Sequence, residues 1–484
     1  MINKKGPITS EIITKGNVRF TCLLFATSIF TQQWEVFADE EVSFYGKRGV
    51  ITPASTPGMD EDQDIDEPKY YRRVIAPPIS ENTVDVQEYT DIDVHPAALI
   101  SQDTASTLSK SSSPIPLSRN ELLLAKKAEY YIQRNFNNKT GLWNSVQGYP
   151  HTTMWDVASG IAATLALEAL GLKTRAQAHH ELNKTLTTLH TIPLYKGLLP
   201  NREYSTKSAK PSGRLSDTRS NGNGWSALDI GRLLVWLKIL EQQHPELIAD
   251  IQRIVNRWSL DKAISDGTLY GTKLYKGKEY YRQEGRNGYL QYAAQGFKMF
   301  QFDVPLPDLK TYLQNIEIDD ITIAIDSRNV PFLTSDPYVL STIEYGDSQW
   351  SQLLPFYDLH KQRWEKQNIL SAYAEDAMNK NPWFAYNNVY YYGKSWTSVS
   401  PSGQPIENPQ ILSNKVAFGF SVLFEDEFSK RLYEDVLESS LKFRGIPTGK
   451  YANGGINSSM NINTNSLVLV ALWYKTKGRS PILE

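Results

Sequence analysis

Cysteine is almost missing: Cys22 is the only one in 484 residues, and it falls in an apolar stretch near the start. A disulfide framework, a thiol nucleophile, a Cys-based zinc site and an iron–sulfur cluster are therefore excluded from the rest of the chain. An excess of charge is missing too. Lys and Arg number 51 against 53 Asp and Glu, a formal net charge of -2. Long basic runs are absent, so nucleic acid is not an expected partner. No apolar run reaches the roughly 18–20 residues of a spanning helix, which excludes a polytopic membrane protein. There is no Gly-rich phosphate loop and no G-x-S-x-G elbow. The histidines (His95, His151, His179, His180, His190, His244 and His360) are too scattered for a ligand set, so neither a metal nor a cofactor is expected.

What the sequence does have is aromatic residues, 27 Tyr, 17 Phe and 11 Trp, and a strong division along its length. Lys15 and Arg19 precede the apolar residues 20–30, and Val36-Phe37-Ala38 follows with small-residue character. That order reads as a secretory signal over 1–38, with an uncleaved anchor as its alternative, and implies a periplasmic or secreted protein. Residues 39–117 hold no helical period. The acidic run from Asp60 to Glu67, eight prolines and the serines at 111–113 predict an extended arm.

From 118 onward, helical periodicity with clear start signals recurs to the C-terminus. Ser118-x-x-Glu121, Thr153-x-x-Asp156 and Ser226-x-x-Asp229 open helices. Further helices are expected over 175–190, 245–258, 287–299, 337–345, 350–378, 413–424, 429–443 and 463–475, with only a few short strands in the loops, at 269–270, 273–275 and 321–325. No fixed repeat betrays a solenoid. Residues 155–170 and 463–475 are apolar nearly all round, whereas 245–258 is amphipathic. Inner and outer helices of these two kinds are what an all-α (α/α)6 toroid requires, and 118–484 is assigned to that fold.

In a toroid, the loops that lead into the inner helices meet at one mouth. Four such loops combine carboxylates with Arg, Trp and Gly. They are His151–Asp156, the stretch from Arg202 and Glu203 to Trp225 and Asp229, Glu284-Gly285-Arg286-Asn287-Gly288-Tyr289, and Asp336-Pro337-Tyr338 with Glu344. Aromatic faces stack on the C–H faces of sugar rings while carboxylates and Arg bond the hydroxyls, so an oligo- or polysaccharide is the expected partner. Glycoside hydrolysis needs one protonated and one ionised carboxyl. Glu284, in a Gly-flanked turn beside Arg286 and Tyr289, is the candidate acid, with Asp156 or Asp229 as base. Trp155, Trp225, Tyr289 and Tyr338 are candidate sugar platforms; Arg232, Arg286, Glu203, Asp336 and Glu344 are candidate hydrogen-bond partners. Each has a plainer reading. Asp156 and Asp229 stand at capping-box positions. Glu284 and Arg286 would pair within a turn, Asp336 and Glu344 would lock loops, and Glu375-Asp376 would be a solvated helix end or loop anchor.

Several of these segments resemble one bacterial family. Thr140-Gly-Leu-Trp143, Thr153-Met-Trp155-Asp156, Gly224-Trp-Ser-Ala-Leu-Asp229, Glu284-Gly-Arg286-Asn-Gly-Tyr289, Ser335-Asp-Pro-Tyr338, Ile343-Glu344-Tyr-Gly346, Lys415-Val-Ala-Phe418 and Asn463-Thr-Asn465 are similar to DUF3131, catalogued as a domain of unknown function. The resemblance spans about 118–478 and implies kinship with glucoamylase-like toroids, some of which act on bacterial β-glucans. It carries no catalytic residue over, and Ala374-Glu375-Asp376 matches no pattern in it. The expectation is a glycoside hydrolase or transglycosylase acting on a bacterial polysaccharide. A polysaccharide lyase, using Tyr289 or His151 as base and Arg286 against a uronate, is one rival. A non-catalytic glycan-binding or polysaccharide-assembly protein is the other.

Overall fold

The structure, a computed structural model, describes residues 108, 113–212, 222–275, 278–304, 313–326, 333–346, 350–391, 393–401 and 403–483. The expected signal and all but the last few residues of the arm lie outside them. All the described residues belong to one compact unit, and no helix among the described residues is long and apolar enough to cross a membrane.

Eleven helices are found among the described residues: α1 (Arg119–Asn135), α2 (Met154–Ala169), α3 (Arg175–Thr191), α4 (Ala227–Gln243), α5 (Ile248–Arg257), α6 (Tyr289–Met299), α7 (Asp336–Glu344), α8 (Leu353–Gln367), α9 (Asn414–Leu423), α10 (Glu427–Ser440) and α11 (Ile462–Thr476). The start signals act as expected. Ser118 and Thr153 each accept from the amide three residues on, while Glu121 and Asp156 return a bond to the cap amide. Ser226 likewise accepts from the amide of Asp229.

Hydrophobic pattern then sorts the helices into two rings. α2 is buried without a break from Met154 to Leu167, and α4 and α11 are nearly as enclosed. α5, by contrast, buries only Ile251, Ile254 and Val255, and α1 buries one stripe through Leu124, Ala128, Tyr131 and Ile132. A helix covered on all sides needs neighbours on all sides; one with a single apolar stripe is content on the outside. Accordingly α2, α4, α6, α7, α9 and α11 pack in that order, and α11 closes on α2. The tightest of these contacts, α4 against α6, depends on glycine. A Cβ on Gly296 would stand 2.0 Å from the Gly231 carbonyl oxygen, and one on Gly231 would stand 2.5 Å from that of Ala293. The resulting six-membered inner ring with helices outside it is the expected (α/α)6 toroid.

Two expectations are corrected. The helix expected over 350–378 ends at Gln367, because Asn368 turns left-handed at φ 54°, the usual way for a helix to stop. Residues 371–377 are therefore extended, bridging to Leu412 and pairing as Asp376–Ala377 with Phe384 and Ala385. Strands are also more plentiful than expected. The short strands expected at 269–270, 273–275 and 321–325 lie within the hairpins Thr268–Tyr275 with Lys278–Gln283 and Leu313–Ile318 with Ile321–Asp326. Their partner strands and the hairpin Phe384–Tyr391 with Lys394–Val399 go beyond the expectation, because an aromatic and polar mixture hides their alternation.

Candidate active site

Outer and inner helices alternate along the described chain except between α6 and α7, where the hairpin Leu313–Ile318 with Ile321–Asp326 intervenes. The loops that precede the inner helices deliver their N-termini to one end of the ring. A narrow cleft opens there, with about 520 Å³ of space counted out to solvent. Its wall is built from the first turns of the inner helices: Trp155 and Asp156 of α2, Asp336 and Leu340 of α7, Lys415 of α9, and Asn461, Asn463 and Leu467 at α11. Arg232, one turn deeper in α4, forms part of the floor, and the extended segment adds Glu375, Asp376 and Ala377.

Lys415 is the electrostatic centre. Its ammonium lies 2.9 Å from Asp336 Oδ2 and 3.6 Å from Asp376 Oδ1, and it donates to the Glu375 carbonyl. Burial works against this charge, but Asp336 and Asp376 overcome it and hold its pKa above the ordinary lysine value. Tyr289 donates to Asp336 Oδ2 at 3.0 Å. The other oxygen of Asp336, Oδ1, is buried with no hydrogen-bond partner among the described residues. It is an acceptor with capacity to spare, sealed from solvent behind the cleft wall.

Asp376 is only 1% exposed. Gln410 donates to its Oδ2 at 2.8 Å and Asn461 reaches Oδ1 at 3.3 Å, while the Ser413 hydroxyl also donates to Oδ2. Burial, reinforced by the charge of Asp336 and opposed by Lys415, pushes its carboxyl up to about 6. Such a group holds its proton to near neutrality. Asp156 both caps α2 and faces the cleft: Oδ2 takes the Thr153 amide and hydroxyl at 3.0 Å, and Oδ1 accepts from Asn463 at 3.2 Å. Beneath them Arg232 stacks on the Trp155 ring, 4.7 Å from its centroid, and pairs with Glu344 at 3.1 Å. Burial, only partly offset by Arg232, raises the Glu344 carboxyl.

The structure thus brings Trp155, Asp156, Arg232 and Asp336 together at the cleft, with Tyr289 directly behind Asp336 and Glu344 behind Arg232. The other sequence candidates are placed elsewhere. Glu284 is fully buried, with one oxygen on Arg202 and the other accepting the amides of Ala227 at 2.6 Å and Leu228 at 3.4 Å. It holds the start of α4 instead of lining the cleft. Asp229 stays in the first turn of α4, outside the cleft lining. Glu203 pairs with His151 at 2.6 Å and with Tyr149, and Arg286 donates to its own neighbour's carbonyl, that of Gly285. Trp225 packs against Tyr195 and Tyr281, and Tyr338 lies in the core on Phe356. A ring sealed in the core offers no face to a sugar.

Sequence reasoning undervalued Glu375 and Asp376, placed on an expected helix end, and passed over Lys415, Asn461 and Asn463 as site residues. One signal existed. A lysine in the first turn of an apolar helix opposes the helix dipole, so carboxylates had to be near it.

The family described as "Protein of unknown function (DUF3131)" matches residues 123–478. No curated protein matches the chain in sequence. Among solved structures, one similar chain is described as a putative glucoamylase from Bacteroides caccae, at 12% identity and TM-score 0.56, covering 75% of this chain and 94% of its own. Another is an endo-β-1,2-glucanase from Chitinophaga pinensis bound to sophorotriose and glucose, at 12% identity and TM-score 0.53, covering 76% and 94%. At such identities the likeness is one of fold.

Proposed function

The chain belongs to the DUF3131 family, and we propose that it is a periplasmic or secreted glycoside hydrolase or transglycosylase acting on a bacterial polysaccharide of the β-glucan kind. The observation that carries this reading is the convergence of Asp156, Asp336, Glu375 and Asp376, far apart in sequence, on one cleft beside the Trp155 ring. The toroid fold, shared with a β-1,2-glucanase, supports the substrate class.

Glycosidic cleavage pairs a proton donor with a carboxylate. Asp376 suits the donor, since its carboxyl is pushed up to about 6, and its Oδ1 is held only by the longer contacts to Asn461 and Lys415. Asp336 suits the carboxylate. Lys415 and Tyr289 fix Oδ2, and Oδ1, buried with no hydrogen-bond partner among the described residues, would take a proton from water or meet the anomeric carbon once substrate entry uncovers it. Asn461 and Asn463 would bond hydroxyls, with Trp155, largely buried under Arg232, bordering them. The donor role expected of Glu284 passes to Asp376, because both Glu284 oxygens serve α4 and Arg202.

Purified protein incubated with β-1,2-, β-1,3-, β-1,4- and β-1,6-linked glucans is expected to release reducing ends from one of them. Asp376→Asn and Asp336→Asn should each reduce the rate by about 10²–10⁴-fold. Near-ultraviolet absorbance in the products of a parallel incubation with polyuronates would mean lyase chemistry instead. A second reading, glycan binding without cleavage, draws on how fully Asp156 and Asp376 are hydrogen-bonded by protein donors. It predicts oligosaccharide binding with no reducing ends on any substrate.

A further inference from the structure

His360, on the outer helix α8, is not among the residues that line the cleft and has no part in the chemistry above, yet it is completely buried. Its partners are what give it meaning. Nε2 accepts from the Tyr373 amide at 3.3 Å and stands 3.3 Å from the Ser335 hydroxyl, while Nδ1 is 3.0 Å from the Ser371 hydroxyl. An amide can only donate, so Nε2 is the bare nitrogen; Ser335 donates to it, and Nδ1–H donates to Ser371. Burial, with Arg363 nearby, keeps the ring neutral by lowering its pKa well below the ordinary value.

Ser335 precedes Asp336. Ser371 and Tyr373 lead into Glu375 and Asp376. The two stretches are also joined to each other, through the Ser335 amide and the Thr334 hydroxyl on the Tyr373 carbonyl at 3.3 and 3.0 Å. The far side of the extended segment is tied to the strand that enters α9, by Ser413 N to the Ala372 carbonyl at 2.8 Å. One imidazole therefore grips both chain segments that carry carboxylates to Lys415. We propose that His360 is a positioning residue, a neutral clamp of one tautomer that sets the spacing of Asp336 and Asp376 across Lys415. The inference rests on the hydrolase reading for its effect on rate, but not for its effect on geometry.

A displacement of about 1 Å between reacting groups lowers rates by about 10²-fold. His360→Leu, which removes all three bonds, is expected to lower kcat by about that factor, with KM changed by less than about threefold, and to move the alkaline limb of the pH profile. His360→Gln, whose carbonyl can still accept from Tyr373, should recover most of kcat. A merely structural histidine would lower the melting temperature and the folded fraction, leaving kcat per folded molecule and the pH profile where they were. That outcome overturns the proposal and spares the hydrolase reading. If the wild-type protein cleaves no glucan, the hydrolase reading fails by itself, and crystal structures of wild type and His360→Leu still decide. Unchanged Lys415–Asp336 and Lys415–Asp376 separations would overturn the clamp. Should His360→Leu not fold, Ser371→Ala, which removes only the Nδ1 partner, carries the same kinetic and crystallographic readouts.

Discussion

The ammonium of Lys415 lies 2.9 Å from Asp336 Oδ2 at the mouth of a ring of helices, with the two side chains only 11% and 6% exposed. A cation in the first turn of α9 has both the helix dipole and burial against it, and it stays charged because Asp336 and Asp376 flank it. Removing one member of a buried pair costs about 3–5 kcal/mol, since the other is left uncompensated. Lys415→Met is expected to lose about that much stability near pH 7 and distinctly less near pH 5, where protonation relieves the stranded acids. Chemical denaturation at the two pH values checks this. Equal losses would show that the lysine does not compensate the carboxylates.

A pH dependence of two kinds follows from Asp376, whose carboxyl is pushed from 3.8 up to about 6, first by burial. As proton donor it must be protonated, so kcat/KM should fall as pH rises through about 6. Stability runs the same way. The folded chain binds this proton more tightly than the unfolded chain, so stability falls as pH rises from about 4 through about 6, by at most about 3 kcal/mol. Asp376→Asn should abolish most of the rate, flatten the alkaline limb of what remains and remove that slope in stability. A limb that persists unchanged in the variant would assign the donor to another group.

Glu284 shows where reading from sequence reaches its limit. The toroid was legible because the contrast between all-apolar and one-sided helices is a property of composition, and Ser118, Thr153 and Ser226 marked the starts. That the acids at inner-helix starts face one mouth was legible too, for Asp156 and Asp336. Which loop carboxylate faces the cleft was not, because that depends on contacts distant in sequence. Arg202 lies 82 residues before Glu284 and the Ala227 amide 57, and together they draw the side chain away from the cleft. Asp376 was hidden for the opposite reason: a single left-handed Asn368 turned an apparent helix end into a strand. Glu284→Gln is therefore expected to destabilise by about 3–5 kcal/mol, through loss of charge beside Arg202. Rate per folded molecule should stay close to wild type, which denaturation curves and normalised kinetics would establish. A fall of about 10²-fold or more at full folding would return the acid role to Glu284.

Charge in the cleft also sets what it can admit. Its cations are already committed, Arg232 to Glu344 and Lys415 to Asp336 and Asp376, while Asp156 and Glu375 add further acids to the lining. A uronate or phosphate entering there would meet carboxylates without gaining a cation of its own, and an uncompensated charge moved out of water costs several kcal/mol. A neutral sugar avoids that cost, and its hydroxyls can donate to the carboxylates that line the cleft. Neutral glucan oligosaccharides are therefore expected to bind at least about 10²-fold more tightly than polyuronates of the same length, a difference of about 2.7 kcal/mol. Calorimetric titration with both series tests this, with salt raised in a second run, which should narrow the gap by screening the repulsion. Equal or tighter binding of the uronates would require a cation free to meet them, and with it the lyase chemistry that the present pairing of Arg232 and Lys415 disfavours.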